Sequence, residues 1–267
     1  ENAGASISRG VIVSMYKRGK MALFDHQIRD RLENLINVAD AEIRTDFNLG
    51  YVVDENDYTS NLTAHIRRII NTHLPLRVTT VSQKLPAHAE QAWGADACIV
   101  LIDHDRGECK LCLFEAKTDR NNWDYLKANK TPKVSHFSTQ LARQVKPFNM
   151  GFAIWEQFYS SHANGQAFGN RNDQGSTCIL HSNAIVYNGT HPNANVWIDQ
   201  DIDSLARNQL QITMGGLVKS VCECHMGTLK TFSELYALLE EQLPVEHLLF
   251  IEGGRVVSSG EEFQSAA

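Results

Sequence analysis

Apolar positions in residues 21–42, MALFDHQIRDRLENLINVADAE, recur at helical spacing, with Leu23, Phe24, Ile28, Leu32, Leu35 and Ile36 on one face. Residues 57–72 repeat that period through Tyr58, Leu62, Ile66, Ile69 and Ile70. The acids Asp54, Glu55 and Asp57 at the head of this second helix suit the positive end of its dipole. The pattern then changes. LRVTTVS, 76–82, is rich in β-branched residues and predicts a strand. GADACIVLID, 94–103, and ECKLCLFEAK, 108–117, predict two more, and the short HDRG between them predicts an antiparallel hairpin. A helix is expected over about 135–146, and GFAIWEQFY, 151–159, fits a strand or a helix equally.

Residues 160–176, rich in Gly, Asn and Ser, read as a mobile loop. TCILHSNAIVY and NANVWID read as strands or strand fragments. From 201 the spacing turns helical, in DIDSLARNQLQITMGGLVKSVCECH and TFSELYALLEEQL, before an apolar HLLFI and a polar tail expected to fray. The fold class is therefore α/β: a mixed sheet of about four or five strands with helices on both sides, over 1–195. A mostly helical C-terminal part, 196–267, is expected to pack on the same domain. Its helices are expected to make a homo-oligomer, a dimer or higher, or to dock another domain.

Length and composition narrow the class. The chain has 267 residues, near the upper size for one hydrophobic core. It is 43% hydrophobic and 21% charged, as soluble domains are. With no run of about 18 apolar residues, no membrane span is expected. The N-terminus has neither the apolar stretch of a signal peptide nor an initiator Met, so a trimmed chain or a fragment is expected. Six cysteines in apolar surroundings read as reduced thiols in a cytoplasmic protein. The net charge of −6 offers no global attraction to nucleic acid, so any polyanion site must be local.

The candidate chemistry sits at the end of the third strand, CLFEAKTD, 112–119. Side chains alternate along a strand, so Leu111, Leu113, Glu115 and Lys117 share one face, and Cys112, Phe114 and Ala116 the other. Both faces of 111–114 are apolar, which marks a central strand. Two charges at the end of such a strand cost several kcal/mol per ion unless they are well paired or bind something. The hairpin returns Asp96 to the same end. Asp96 and Glu115, with the Ala116 carbonyl, then make an oxygen-rich site for a hard cation such as Mg²⁺. Lys117 beside it can steer water or neutralise a phosphate. This is the layout that metal-dependent phosphodiester hydrolysis needs.

GAD followed by FEAK resembles the PD-(D/E)xK nuclease superfamily, to which many restriction endonucleases belong. Asp96, Glu115 and Lys117 fill its three positions, with Gly-Ala-Asp in place of Pro-Asp. The resemblance covers about residues 54–150. It implies a restriction-endonuclease-like αβββαβ core and Mg²⁺-dependent cleavage of DNA, with Mn²⁺ as a substitute cation and a role in restriction or antiviral defence. It also implies a glutamate on the preceding helix, which Glu55 or Asp57 matches loosely, Glu55 as a further metal ligand. The Gln-x-x-x-Tyr/Gln signature on the following helix is matched by Gln140 and Gln144, four apart and so on one helix face. Gln140 is expected to complete the catalytic set with Asp96, Glu115 and Lys117. The alternative is a catalytically silent nucleic-acid-binding or assembly module of the same fold.

Blander readings compete at each residue. Glu115 and Lys117 could be a solvent-facing ion pair, Asp96 a strand-initiating turn residue, Glu55 a helix-dipole partner, and the glutamines a solvated face. CKLC and CECH suggest zinc through Cys109, Cys112, Cys222, Cys224 and His225, but mid-strand thiols three apart point to opposite faces. Residues 117–146 hold seven cations against two acids, with Trp123, Tyr125 and Phe137 interleaved. Such a stretch suits a phosphodiester backbone, so Lys127, Lys130, Lys133, Arg143 and Gln144 are the expected DNA contacts, and His136 a minor candidate.

Overall fold

In the computed structural model the described residues are 22–83, 92–118, 122–128, 133–160, 162, 165, 169–192, 194–241 and 243–254. Helix α1 (His26–Asn48) begins later than its apolar period suggests. Leu23 and Phe24 precede it, Phe24 with a φ of 57°, and Asp25 caps it by accepting from the Ile28 N–H at 2.9 Å. Helix α2 (Glu55–His73) is capped by Asp54 and buries Tyr58, Leu62, Ile66 and Ile70. Strands β1 (Arg77–Ser82), β2 (Ala97–Asp103) and β3 (Glu108–Thr118) follow, then α3 (His136–Asn149) and β4 (Ala153–Tyr159). The ambiguous run 151–159 is thus a strand, parallel to β3.

β2 and β3 form the expected hairpin, Ala97 opposite Phe114 and Asp103 opposite Glu108. Its turn uses Gly107 at a φ of 66°, a conformation that costs a glycine nothing. Beyond β4 come β5 (Thr177–Leu180), α4 (His181–Thr190), α5 (Asp199–Arg207), α6 (Met214–Cys222), β6 (Lys230–Thr231), α7 (Phe232–Glu240) and β7 (His247–Gly253). Two expectations are corrected here. The strand in TCILHSNAIVY stops at Leu180 and a helix starts at once, and the described residues of NANVWID, 194–199, make no strand. Trp197 from that stretch is instead a core residue, packed with Phe137 and Ile202.

The sheet has seven strands among the described residues, rather than four or five. Its order is β1-β7-β2-β3-β4-β5, with β6 beside β3. β7 pairs antiparallel with β1 and parallel with β2. The sheet crosses the boundary expected at 195/196: the C-terminal part is mostly helical and packs on the same domain, but it also supplies an interior strand. The alternation read for the third strand holds. Cys112, Phe114 and Ala116 join a cluster with residues of α1, α2 and α6, and Leu111 and Leu113 join a second cluster with Leu235 of α7. Cys109 and Cys112 fall in different clusters, on opposite faces of the sheet, and all six cysteines are free thiols. No described helix is long and apolar enough to cross a membrane.

Candidate active site

Asp96 precedes β2 and lies level with Glu115. Its N–H donates to the Phe114 carbonyl (2.9 Å), and its Oδ2 accepts from the Ala116 N–H (2.6 Å). Glu115 and Lys117 are both buried. Lys117 Nζ donates to Glu115 Oε1 (2.6 Å) and to the Ala116 carbonyl (2.8 Å). The ammonium thus already contacts two of the oxygens read as cation ligands. From the opposite face of the sheet, Glu55 Oε1 accepts from the Thr118 N–H (2.8 Å) and hydroxyl (3.2 Å), with Oε2 4.0 Å from Lys117 Nζ. Asp54 and Asp57 serve the helix end instead: Asp54 accepts from the Asp57 N–H, and Asp57 from the Val53 N–H. Of the acids at the head of α2, Glu55 alone reaches the site, and it does so through Thr118 and Lys117.

The electrostatics follow from this crowding. Burial, then the neighbouring Glu115, pushes the Asp96 carboxyl well above the usual aspartate value. Burial also raises Glu115, against the opposing pull of Lys117. Burial alone would lower Lys117, but Glu115, Asp96 and Glu55 outweigh it and hold the side chain above the ordinary lysine value. The three carboxylates therefore favour the ammonium form of Lys117 in the cation-free protein.

Helix α3 covers this strand end. Gln140 donates to Glu115 Oε1, while its own Oε1 is buried with no hydrogen-bond partner among the described residues. Gln144, one turn on, donates to the Gly94 carbonyl (2.7 Å) and to Glu156 Oε2 (3.0 Å). Gln144 was expected on the substrate; it is fully buried and holds a carboxylate instead. Glu156 is the β4 neighbour of Glu115, and its Oε1 lies 3.5 Å from Nδ1 of the buried His181. Neither Glu156 nor His181 was foreseen. The available signal was an acid inside the apolar run AIWEQFY, the same anomaly that marks Glu115.

Gly94, Asp96, Glu115, Tyr125, Lys127, His136, Gln140 and Arg143 line a pocket of about 290 Å³. The expected DNA contacts therefore divide. Lys127 and Arg143 are at the pocket, Lys133 is exposed, and Lys130 lies outside the described residues. Comparison with family models, curated proteins and solved structures finds no match.

The donor set suits a hard cation: carboxylates of Asp96 and Glu115, the Ala116 carbonyl, and the orphaned Gln140 Oε1. Among the described residues no three His, Cys, Asp or Glu side chains gather as an ion cage. Any cation here needs the backbone carbonyl and water to complete its shell.

Proposed function

We propose that this chain hydrolyses DNA phosphodiester bonds with Mg²⁺, as a nuclease on a restriction-endonuclease-like core. The observation that carries the reading is the pairing of half-buried Asp96 with buried Glu115 at adjacent strand ends, flanked by the Lys117 ammonium and open to a pocket that Lys127 and Arg143 line. Two carboxylates held this close in low dielectric repel each other, and a divalent cation offsets that cost. The element order α2-β1-β2-β3-α3-β4 also runs as the αβββαβ core would, with β7 inserted beside β2. Mg²⁺, held by Asp96, Glu115 and the Ala116 carbonyl, would supply Lewis-acid chemistry at the phosphate and the attacking water.

The chain's own groups do the rest. In its ammonium form Lys117 stabilises negative charge growing on the phosphate. Gln140 fixes the Glu115 carboxylate, and Glu55 fixes the end of β3 through Thr118. Lys127 and Arg143 attract the DNA backbone. Lys117→Ala should keep the fold and abolish cleavage of plasmid and linear DNA in Mg²⁺; undiminished cleavage by that variant sinks the assignment.

A second reading is a catalytically silent nucleic-acid-binding module. It is favoured by the Lys117 ammonium, which already bridges Glu115 and the Ala116 carbonyl as a self-contained ion pair. Titration calorimetry separates the two. Mg²⁺ or Mn²⁺ binding that disappears in Asp96→Asn supports the nuclease, and no cation binding by the wild type supports the silent module.

A further inference from the structure

The segment after β3 contributes three aromatic residues among the basic ones, and the structure uses them differently. Trp123 packs edge-on against Phe137 and Phe158, each at 5.1 Å between ring centroids, and Phe137 is buried. Tyr125 is 53% exposed. Its ring lies flat on His136, with centroids 4.7 Å apart and planes 10° from parallel. Both rings line the pocket that holds Asp96 and Glu115.

The pair is firmly seated. The His136 N–H donates to the Tyr125 carbonyl (2.8 Å) and the Lys127 N–H to the Val134 carbonyl (2.9 Å), on either side of a bridge between Leu126 and Ser135. Beneath it, buried Asp124 accepts from the Ser135 hydroxyl (2.6 Å), the Phe137 N–H (2.9 Å) and the Trp197 N–H (2.9 Å). His136 is also held neutral at physiological pH. Burial, then the positive charges of Lys117, Lys127 and Arg143, pushes its imidazole down to about 4. The plate is thus uncharged and aromatic inside a charged pocket.

A ligand that satisfies both features is planar and aromatic and carries an anion. A nucleotide does, and base-on-aromatic stacking is a main source of affinity for single strands. In a duplex both faces of each base are already covered, so only an unpaired base can lie on the plate. A pocket of about 290 Å³ also takes one such unit rather than a stack of base pairs. We propose that Tyr125, backed by His136, is a stacking platform for an unpaired base whose phosphate is drawn to Lys127 and Arg143 in the same pocket, so that single-stranded or locally unpaired DNA is the substrate class. The proposal rests on the nuclease reading for the identity of that phosphate, but stacking itself requires no cleavage.

The test is binding in EDTA, where no hydrolysis occurs. A single-stranded oligodeoxynucleotide carrying 2-aminopurine is compared with its duplex and with an RNA strand of the same sequence. Wild type, Tyr125→Phe and Tyr125→Ala are titrated after their thermal midpoints are shown to agree. The expected result is tighter binding of the single strand than of the duplex, with 2-aminopurine fluorescence quenched on binding. Tyr125→Phe should match wild type, and Tyr125→Ala should weaken single-strand binding by about fivefold or more. Equal binding by Tyr125→Ala overturns the platform, as does equal affinity for the duplex or no binding at all. Tighter binding of the RNA strand overturns DNA as the substrate. Cleavage keeps the two readings apart: Tyr125-dependent binding without Mg²⁺-dependent cleavage leaves the platform and removes the nuclease. Duplex cleavage indifferent to Tyr125 does the reverse.

Discussion

Lys117 keeps its proton because three carboxylates outweigh its burial, and the same crowding fixes how the acids respond to pH. Asp96 and Glu115 both have folded-state values above the ordinary ones. The stability such acids contribute to the cation-free protein is full below their unfolded values of about 4 and is lost as pH rises through the folded ones. Cation binding runs the other way, because a protonated carboxyl is no ligand. The rise in thermal midpoint caused by Mg²⁺ should therefore be present at pH 8 and shrink on acidification while exposed carboxylates are still ionised. Melts in Mg²⁺ and in EDTA over a descending pH series from 8 check this, and a Mg²⁺ shift that does not fall as the pH falls counts against these ligands. Asp96→Asn should lower Mg²⁺ and Mn²⁺ affinity at every pH, and unchanged affinity removes Asp96 from the set. These residues were legible in the sequence because a period of two places Glu115 and Lys117 on one face, and a short turn fixes which end Asp96 reaches. The destination of Lys117 Nζ was not legible, because side-chain pairing within a cluster depends on distances that spacing does not carry.

Helix α3 works as a clamp. Gln140 and Gln144, four residues apart, hold carboxylates on two neighbouring strands, Glu115 on β3 and Glu156 on β4. Their spacing was readable as a shared face, but that face points inward, which the sequence left open between substrate contact and solvated surface. Gln144→Leu would leave Glu156 Oε2 and the Gly94 carbonyl without the donor they share. A loss of about 1–3 kcal/mol is expected from urea unfolding, with Gln140→Ala affecting cleavage more than stability because Gln140 lines the pocket. A Gln144→Leu variant as stable as wild type would show that Glu156 is satisfied another way. Helix α4 shows where local pattern misleads. His181–Thr190 has no side-chain cap at its start and carries the strand-forming Ile185, Val186 and Tyr187, so it reads as strand. Ala184 packing with Phe137 and Trp197 overrides that preference.

At the scale of the whole molecule, the site depends on chain that lies far away in sequence. β2 carries Asp96 into place only if both its edges are paired, by β3 on one side and by β7 on the other. The Glu246 and His247 N–H groups also donate to the Asp96 carbonyl, at 3.1 and 3.2 Å, so the start of β7 anchors the residue itself. This long-range pairing was invisible to local reading. HLLFI is a plain apolar run, and nothing in its composition says that it will enter the sheet between the first two strands rather than cap a helical annex. The consequence is a direct test of domain organisation. A chain ending at residue 195 would lose β7, leave facing edges of β1 and β2 unpaired, and expose the apolar surface that Leu248, Leu249 and Ile251 now cover. It should be insoluble or lack a cooperative thermal transition. A soluble, cooperatively melting 1–195 fragment would mean that β1 and β2 can pair without β7. The strand would then be an insertion into a self-sufficient core rather than one of the elements that define it.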